Sequence, residues 1–452
     1  MVKRCFERTV ELEASPAEVF RWHHRAGAFD RLTPPWLKVV MLDHGQGVAN
    51  GSTVTIRVKK GLLGLRWTLR HAGVRDPDGF EDYQVRGPFA HWHHRHRFEA
   101  LSGGGTRLTD HIEYALPGGA WANKLGGPMI DRDLSRLFTF RHAITQADMA
   151  GGGADLTDWT ILVSGATGLV GRALCARLTT AGAMVRKLSR SAGENTYAWN
   201  IERGEIDPAA LEGCRAVIHL AGEPIARRWT PAVKQAIRQS RVDGTALLAR
   251  AISRLERPPE VFISASAIGY YGDTDERLCA EDAPPGAGFL AEVCAAWEAA
   301  AEPAKAKGVR VVHPRIGVVL SPEGGALAKL LPVFKSGLGG PIGSGDFYMS
   351  WIGREDLVEV MLHLLRTAGL EGPVNAVAPS PVTNAEFSQT LAGVLHRPAC
   401  VPVPPAMLRL AYGEMARETV LASARIQPAR LEQSGFRWRH PDLAAALKAC
   451  LP

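Results

Sequence analysis

Residues 161–178 read ILVSGATGLVGRALCARL. The opening run is apolar without alternation, as in a parallel strand covered on both faces. Gly165, Gly168 and Gly171 then fall three residues apart, and a helical run follows. Glycine at a strand end lets the backbone turn sharply and approach a pyrophosphate, while the helix N-terminus offers free amides and a positive dipole end. Thr167, Leu169 and Val170 sit between the glycines and are expected to line the same cradle. Gly171 lets the helix pack close to the strand. A glycine pattern alone is weak evidence. Its weight here comes from context: a strand before it, a helix after it, and a second strand-like run, AMVRKLSR, at residues 183–190.

The end of that second run selects the cofactor. A carboxylate there would accept the ribose hydroxyls of NAD. This chain has Leu188, Ser189 and Arg190, with no acid before Glu194. Arg190 suits a 2′-phosphate and Ser189 can donate to it, so NADP is expected ahead of NAD. Two more strands follow. CRAVIHLAG, residues 214–222, ends in Leu220, Ala221 and Gly222, which let a dinucleotide lie near the backbone. EVFISASA, residues 260–267, ends in the hydroxyls of Ser264 and Ser266. Strands and helices alternate from Trp159 onward, the pattern of an α/β Rossmann-like doubly wound parallel sheet.

The chain is long enough for two or three domains, at 452 residues. The run QADMAGGGADLTDW, residues 146–159, marks a linker. The expected domains are residues 1–149, a linker at 150–158, a dinucleotide-binding domain at 159–397 and a C-terminal extension at 398–452. The first of these opens with an alternating strand at residues 5–12. SPAEVF follows, with Ser15 placed to cap a helix, Pro16 at its first position and Glu18 completing a capping box. Strand-like runs then recur at residues 52–60, 65–74, 79–87, 91–101 and 106–116. A helix-like segment spans residues 120–149, with Leu134, Leu137, Phe138, Arg141 and Ile144 at helical spacing.

This order of elements resembles the START-like, SRPBCC or polyketide-cyclase group. The resemblance implies an α+β helix-grip domain, with an apolar cavity for a hydrophobic ligand between sheet and helix. Within it, HWHHRHR at residues 91–97 places Trp92, His94 and His96 on one strand face and His91, His93, Arg95 and Arg97 on the other. No carboxylate or cysteine is adjacent in sequence, so a solvated or cavity-lining strand is expected and no metal site.

Composition excludes several classes. Hydrophobic residues make up 46% and charged residues 22%, as in a globular protein. No apolar run reaches the ~18 residues of a membrane span, and the N-terminus lacks a secretory signal's apolar core. A cytoplasmic location is expected. The seven cysteines are scattered, without a C-x-x-C pair, which argues against a disulfide framework or zinc ribbon. Five of the seven net positive charges lie in the first 150 residues, but they are dispersed, and nucleic acid is not an expected partner. The oligomeric state is not legible.

SGATGLVG, HLAGEPIARRW, ISASAIGYYGD, PRIGVVLSPEGGAL, GLGGPIGSG and WIGREDLV together resemble the atypical extended short-chain dehydrogenase/reductase proteins described as nucleoside-diphosphate-sugar epimerases. The resemblance spans residues 159–452, including the tail RIQPARLEQSGFRWRHPDLAAAL. It implies hydride transfer on a hydroxyl or carbonyl of a small-molecule substrate. Members of that superfamily use serine, tyrosine and lysine. Ser266 matches the serine. Phe289 and Val293 fall at the tyrosine and lysine places, and neither transfers a proton. Tyr270 and Tyr271, and the loop carboxylates Glu223 and Asp273, are the substitutes expected near the strand ends. Pro314 and Arg315 match the start of a loop that in the family borders cofactor and substrate, and Arg315 is expected either to bind an anionic group or to pair with a carboxylate. The glycine-rich run carrying Trp351 reads as substrate-facing. The missing pair keeps a second reading open: a non-catalytic NADP-binding regulatory or redox-sensing module.

Overall fold

The computed structural model describes residues 2–60, 63–150 and 154–451. Contacts group residues up to Thr157 with Ala176–Ala183 in one unit, and Asp158–Cys175 with Met184–Leu451 in another. The glycines at 151–153, the centre of the expected linker, lie outside the described residues.

The first unit runs β1 (Arg4–Leu12), α1 (Pro16–His24), α2 (Ala28–Arg31), β2 (Lys38–Asp43), β3 (Thr53–Lys60), β4 (Leu63–Arg75), β5 (Gly79–Arg86), β6 (His91–Ala100), β7 (Thr106–Ala115) and α3 (Gly119–Met149). The strands form one antiparallel sheet in the order β1-β7-β6-β5-β4-β3-β2. Ser15 caps α1, with Glu18 returning to the cap in a complete capping box. The 31-residue α3 packs Leu134 and Phe138 against Trp92, Ile112 and Tyr114 of the sheet. That is the helix-grip arrangement. The edge strand β2 was not anticipated; mostly exposed, it lacks the alternating apolar face by which the other strands announce themselves.

The second unit runs β8 (Thr160–Ser164), α4 (Leu169–Thr180), β9 (Met184–Ser189), β10 (Thr196–Asn200), β11 (Glu205–Ile206), β12 (Ala216–His219), α5 (Pro231–Ser253), β13 (Val261–Ser264), β14 (Ser266–Ala267), α6 (Phe289–Ala299), α7 (Glu302–Ala306) and β15 (Arg310–Ile316). It continues through β16 (Val318–Leu320), α8 (Gly325–Lys335), β17 (Tyr348–Met349), β18 (Trp351–Gly353), α9 (Arg354–Arg366), β19 (Gly372–Ala376), β20 (Val382–Thr383), α10 (Asn384–Leu395), α11 (Pro405–Tyr412), α12 (Ala429–Gln433) and α13 (Leu443–Cys450).

Its main sheet is ordered β11-β10-β9-β8-β12-β13-β15, with β14 and β19 also pairing β15. All of these pairs are parallel except β10 with β11. From β8 the chain builds outward through β9, then returns to build the other way from β12. The direction therefore switches between β8 and β12, and ligands of open α/β sheets bind beyond the strand ends at such a switch. Among the described residues no helix is long and apolar enough to cross a membrane.

Candidate functional site

The glycine loop stands at the switch point. Gly165, at the end of β8, has φ +70°, and a Cβ there would lie 2.7 Å from the Leu220 carbonyl carbon and 2.8 Å from the Ala221 nitrogen. A Cβ on Gly171 would lie 2.1 Å from the Gly165 carbonyl oxygen. Both glycines are therefore required by close backbone approach, the first between the loops after β8 and β12, the second between α4 and its own loop. Thr167 and Gly168 are exposed, Leu169 and Val170 half-buried. The first turn of α4 leaves its leading amides without carbonyls of the helix to bind. The arrangement fits a pyrophosphate over the loop.

The Leu220–Gly222 side is braced from below. Ser164 Oγ accepts from the amides of Leu220 (3.2 Å) and Ala221 (3.4 Å) and lies 2.6 Å from His219 Nδ1. A hydroxyl that accepts both amides sends its own proton to Nδ1, which places the imidazole proton on Nε2. That nitrogen is buried without a partner. Burial, then the nearby Arg241, drives the His219 pKa down to about 3, so the ring is neutral. Arg241 donates to the Glu223 carbonyl at 3.1 Å, lies over the Trp297 ring, and would sit 3.2 Å from a Cβ on Gly222. Ser164, His219 and Arg241 escaped the sequence reading; Ser164 and His219 leave only the signal of a polar residue closing an apolar strand, and Arg241, inside α5, leaves none.

On the other side of β8, Ser189 ends β9 half-buried and Arg190 follows it, exposed. No carboxylate occupies this strand end, so the cation and hydroxyl stand where the sequence put them.

The residues expected to carry catalysis divide differently. Ser266 is buried and donates to Glu298 Oε1 at 2.7 Å. Arg315 binds the same carboxylate twice, Nε to Oε1 at 2.8 Å and Nη2 to Oε2 at 2.9 Å, and donates to Tyr271 Oη at 2.8 Å and the Glu281 carbonyl. Tyr271 is fully buried and donates to Asn375 Oδ1 at 2.7 Å. Burial, partly opposed by Arg315, pushes its pKa up to about 12. Ser266 and Tyr271 direct their protons to internal acceptors, and of the two roles open to Arg315 the structure shows the pairing with a carboxylate.

Pro314 and Arg315 are also not a loop. They lie within β15, where Pro314 pairs Val374 and Arg315 pairs both Ser266 and Asn375. The proline is tolerated because the ladder on the other side is interrupted between β13, which ends its pairing at Val312, and β14, which resumes at Arg315. Trp351 is corrected likewise: it is buried in the core with Leu327, Phe334 and Phe387, its Nε1 donating to the Ser380 carbonyl.

What remains near the strand ends is smaller. Ser264 is buried, 3.5 Å from Thr245 Oγ1. Tyr270 is half-buried, with its ring under the Arg315 guanidinium at 3.4 Å. Glu223 is half-buried and paired with Arg227 at 2.7 Å. Phe289 opens α6 beside Trp229, beneath Lys234 Nζ at 4.5 Å, and Val293 is buried one turn on. The tyrosine and lysine places hold an aromatic face and a core side chain.

In the first unit, the inward face of β6 is more polar than expected. Register sets His94 opposite Asp82 and His96 opposite Asp110, so the carboxylates absent from the sequence neighbourhood arrive from the flanking strands. Burial disfavours charge on His94, but Asp82 and Asp110 outweigh it and raise its pKa to about 9.

Three family models match: polyketide cyclase / dehydrase and lipid transport over residues 12–140, NAD dependent epimerase/dehydratase over residues 161–377, and a domain of unknown function over residues 403–450. An epimerase family protein of Mycobacterium tuberculosis is 43% identical over 290 residues, 64% of this chain and 96% of its own. The crystal structure of a nucleoside-diphosphate sugar epimerase from Corynebacterium glutamicum is 31% identical, with TM-score 0.79, covering 98% of this chain and 90% of that one. That of human epimerase family protein SDR39U1 (isoform 2) with NADPH is 34% identical, with TM-score 0.59, covering 64% of this chain and 98% of that one. A glycine cradle at the sheet's switch point, a matching family model and relatives aligned over nearly their whole length agree: the chain belongs to the NAD-dependent epimerase/dehydratase family, with a polyketide-cyclase-like domain ahead of the epimerase domain.

Proposed function

We propose that the second unit binds NADP and works as an oxidoreductase or epimerase on a hydroxyl or carbonyl substrate. The observation that carries the cofactor choice is the end of β9, where Ser189 and the exposed Arg190 stand in place of a carboxylate. The NADPH-bound human relative supports it. Gly165, Gly168 and Gly171, with the amides of Thr167, Leu169 and Val170, would hold the pyrophosphate. Leu220–Gly222 would border the adenosine side, and Ser189 and Arg190 would receive the 2′-phosphate. Bound there, the nicotinamide supplies hydride acceptance and donation. Of the chain's own groups, the Tyr270 hydroxyl and the Glu223 carboxylate are those left to exchange a proton with substrate, since Ser266 and Tyr271 are engaged inside.

Fluorescence titration tests the cofactor. NADPH should bind more tightly than NADH, and Arg190→Ala should weaken NADPH about tenfold, the loss of one charge-assisted phosphate contact, while leaving NADH nearly unchanged. Tighter NADH binding, indifferent to Arg190→Ala, would refute the assignment.

The engaged hydroxyls of Ser266 and Tyr271 favour a second reading, a binding module that reports NADP redox state. Incubation with tritiated NADPH and a metabolite extract separates the two. Label in a product supports the enzyme; none in any compound supports the module.

A further inference from the structure

Three side chains on the inward face of the first unit's sheet point at one another. Asp82 Oδ2 lies 3.2 Å from His94 Nδ1 and 3.9 Å from His96 Nε2. One donor atom from each of the three lies within 4.8 Å of the other two. Tetrahedral donors around zinc, at ~2.05 Å from the metal, stand about 3.4 Å apart. The spacing needs little adjustment to accept an ion.

The far sides of His94 and Asp82 are already held, and that of His96 lies against the same carboxylate. His94 Nε2 and His96 Nδ1 meet the same Asp110 oxygen, at 2.9 and 2.7 Å, and the other Asp110 oxygen takes His142 Nε2 of α3 at 2.6 Å. Asp82 Oδ1 accepts from Trp92 Nε1 at 3.2 Å. Metal-binding histidines characteristically give their second nitrogen to a carboxylate, which fixes the ring and its tautomer. Here Asp110 does so for His94, and the same oxygen lies 2.7 Å from His96 Nδ1 without forming a hydrogen bond to it. The next histidine across the sheet, His71, is paired in register with Asp82 and keeps Nδ1 buried without a partner.

The sequence pattern has a simple origin. In His-x-His on a strand both rings share a face, and the carboxylate comes from the neighbouring strand at the opposing position. The set has two imidazoles and one carboxylate, nitrogen-rich and without sulfur. It suits a divalent first-row transition cation of the zinc class rather than magnesium or calcium.

We propose that Asp82, His94 and His96 bind one such cation inside the polyketide-cyclase-like domain, with Asp110 and His142 as positioning residues and a fourth position left for water. The site is independent of the nucleotide cradle and of the reaction proposed for it.

Cobalt(II) titration of the full-length, tag-free, chelator-stripped chain tests this, followed by visible absorption and by zinc competition. One equivalent should be taken up, with the intense bands of a tetrahedral ion, and zinc should displace it. His96→Gln and Asp82→Asn should each weaken binding at least a hundredfold. Asp110→Asn should weaken it ten- to a hundredfold. Circular dichroism reports whether each variant folds. A rival site exists on the exposed face, where Cys5 Sγ lies 3.6 Å from His111 Nε2, so Cys5→Ser/His111→Gln should retain the bound equivalent. The proposal fails if the unsubstituted chain takes up no stoichiometric cobalt, a result independent of any variant's folding. It also fails if uptake survives both ligand substitutions in folded protein, or disappears with Cys5→Ser/His111→Gln.

Discussion

At the residue scale, the account depends on backbone approaches that only glycine permits. A methyl group on Gly171 would occupy the space of the Gly165 carbonyl oxygen, 2.1 Å away. Gly171→Ala should therefore destabilise the protein by ~1–3 kcal/mol through forced displacement and weaken NADPH binding more than tenfold. Gly393, in α10, faces open space with no neighbour within 4 Å, so Gly393→Ala should be neutral or stabilising by up to ~1 kcal/mol. Thermal melts of both, with nucleotide titration, check the contrast. His219 makes a pH prediction. Its folded pKa, depressed to about 3 by burial, lies below the ordinary value near 6.5, so the unfolded state takes the proton first. Its contribution to stability is present above about pH 6.5 and is lost as pH falls toward 3, at about 1.4 kcal/mol per pH unit. Urea unfolding at pH 7, 6 and 5 should show His219→Asn with a shallower acid loss than the unsubstituted chain. Equal slopes would mean that the ring is not buried neutral.

At the scale of elements, most strands were legible because alternation or continuous apolarity marks which faces are covered. β1, β3 to β9, β12 and β13 all follow that signal. The failures share one cause: roles that depend on a partner far away in sequence. Arg315 leaves anion binding and carboxylate pairing equally open until Glu298 of α6 is seen against it. Asp82 and Asp110 are invisible as neighbours of His94 until the register is known. Pro314 reads as part of a loop until the gap between β13 and β14 is found opposite it. The nucleotide cradle was legible because strand, turn and helix are contiguous. The Glu298–Arg315 pair also sets a stability prediction. Its side chains are 13% and 3% exposed, and removing one member leaves a buried charge alone. Glu298→Ala should cost ~3–5 kcal/mol in denaturant unfolding, free the Ser266 hydroxyl, and leave the β9 end unaltered. A loss below about 1 kcal/mol would contradict the network's internal role.

At the scale of the whole molecule, the chain joins two units of different architecture, one built on an antiparallel sheet and one on a mainly parallel sheet. The mycobacterial and human relatives align over nearly their full lengths with 64% of this chain, while the corynebacterial epimerase aligns with almost the entire chain. Nucleotide binding is proposed for the unit that carries the glycine cradle. The measurement that tests it most directly is a crystal structure of the full chain with NADP. The account predicts the pyrophosphate over the amides of residues 168–171 and the 2′-phosphate in contact with Arg190 and Ser189. A dinucleotide bound away from that loop, or one seated there with its 2′-phosphate turned from Arg190, would contradict it.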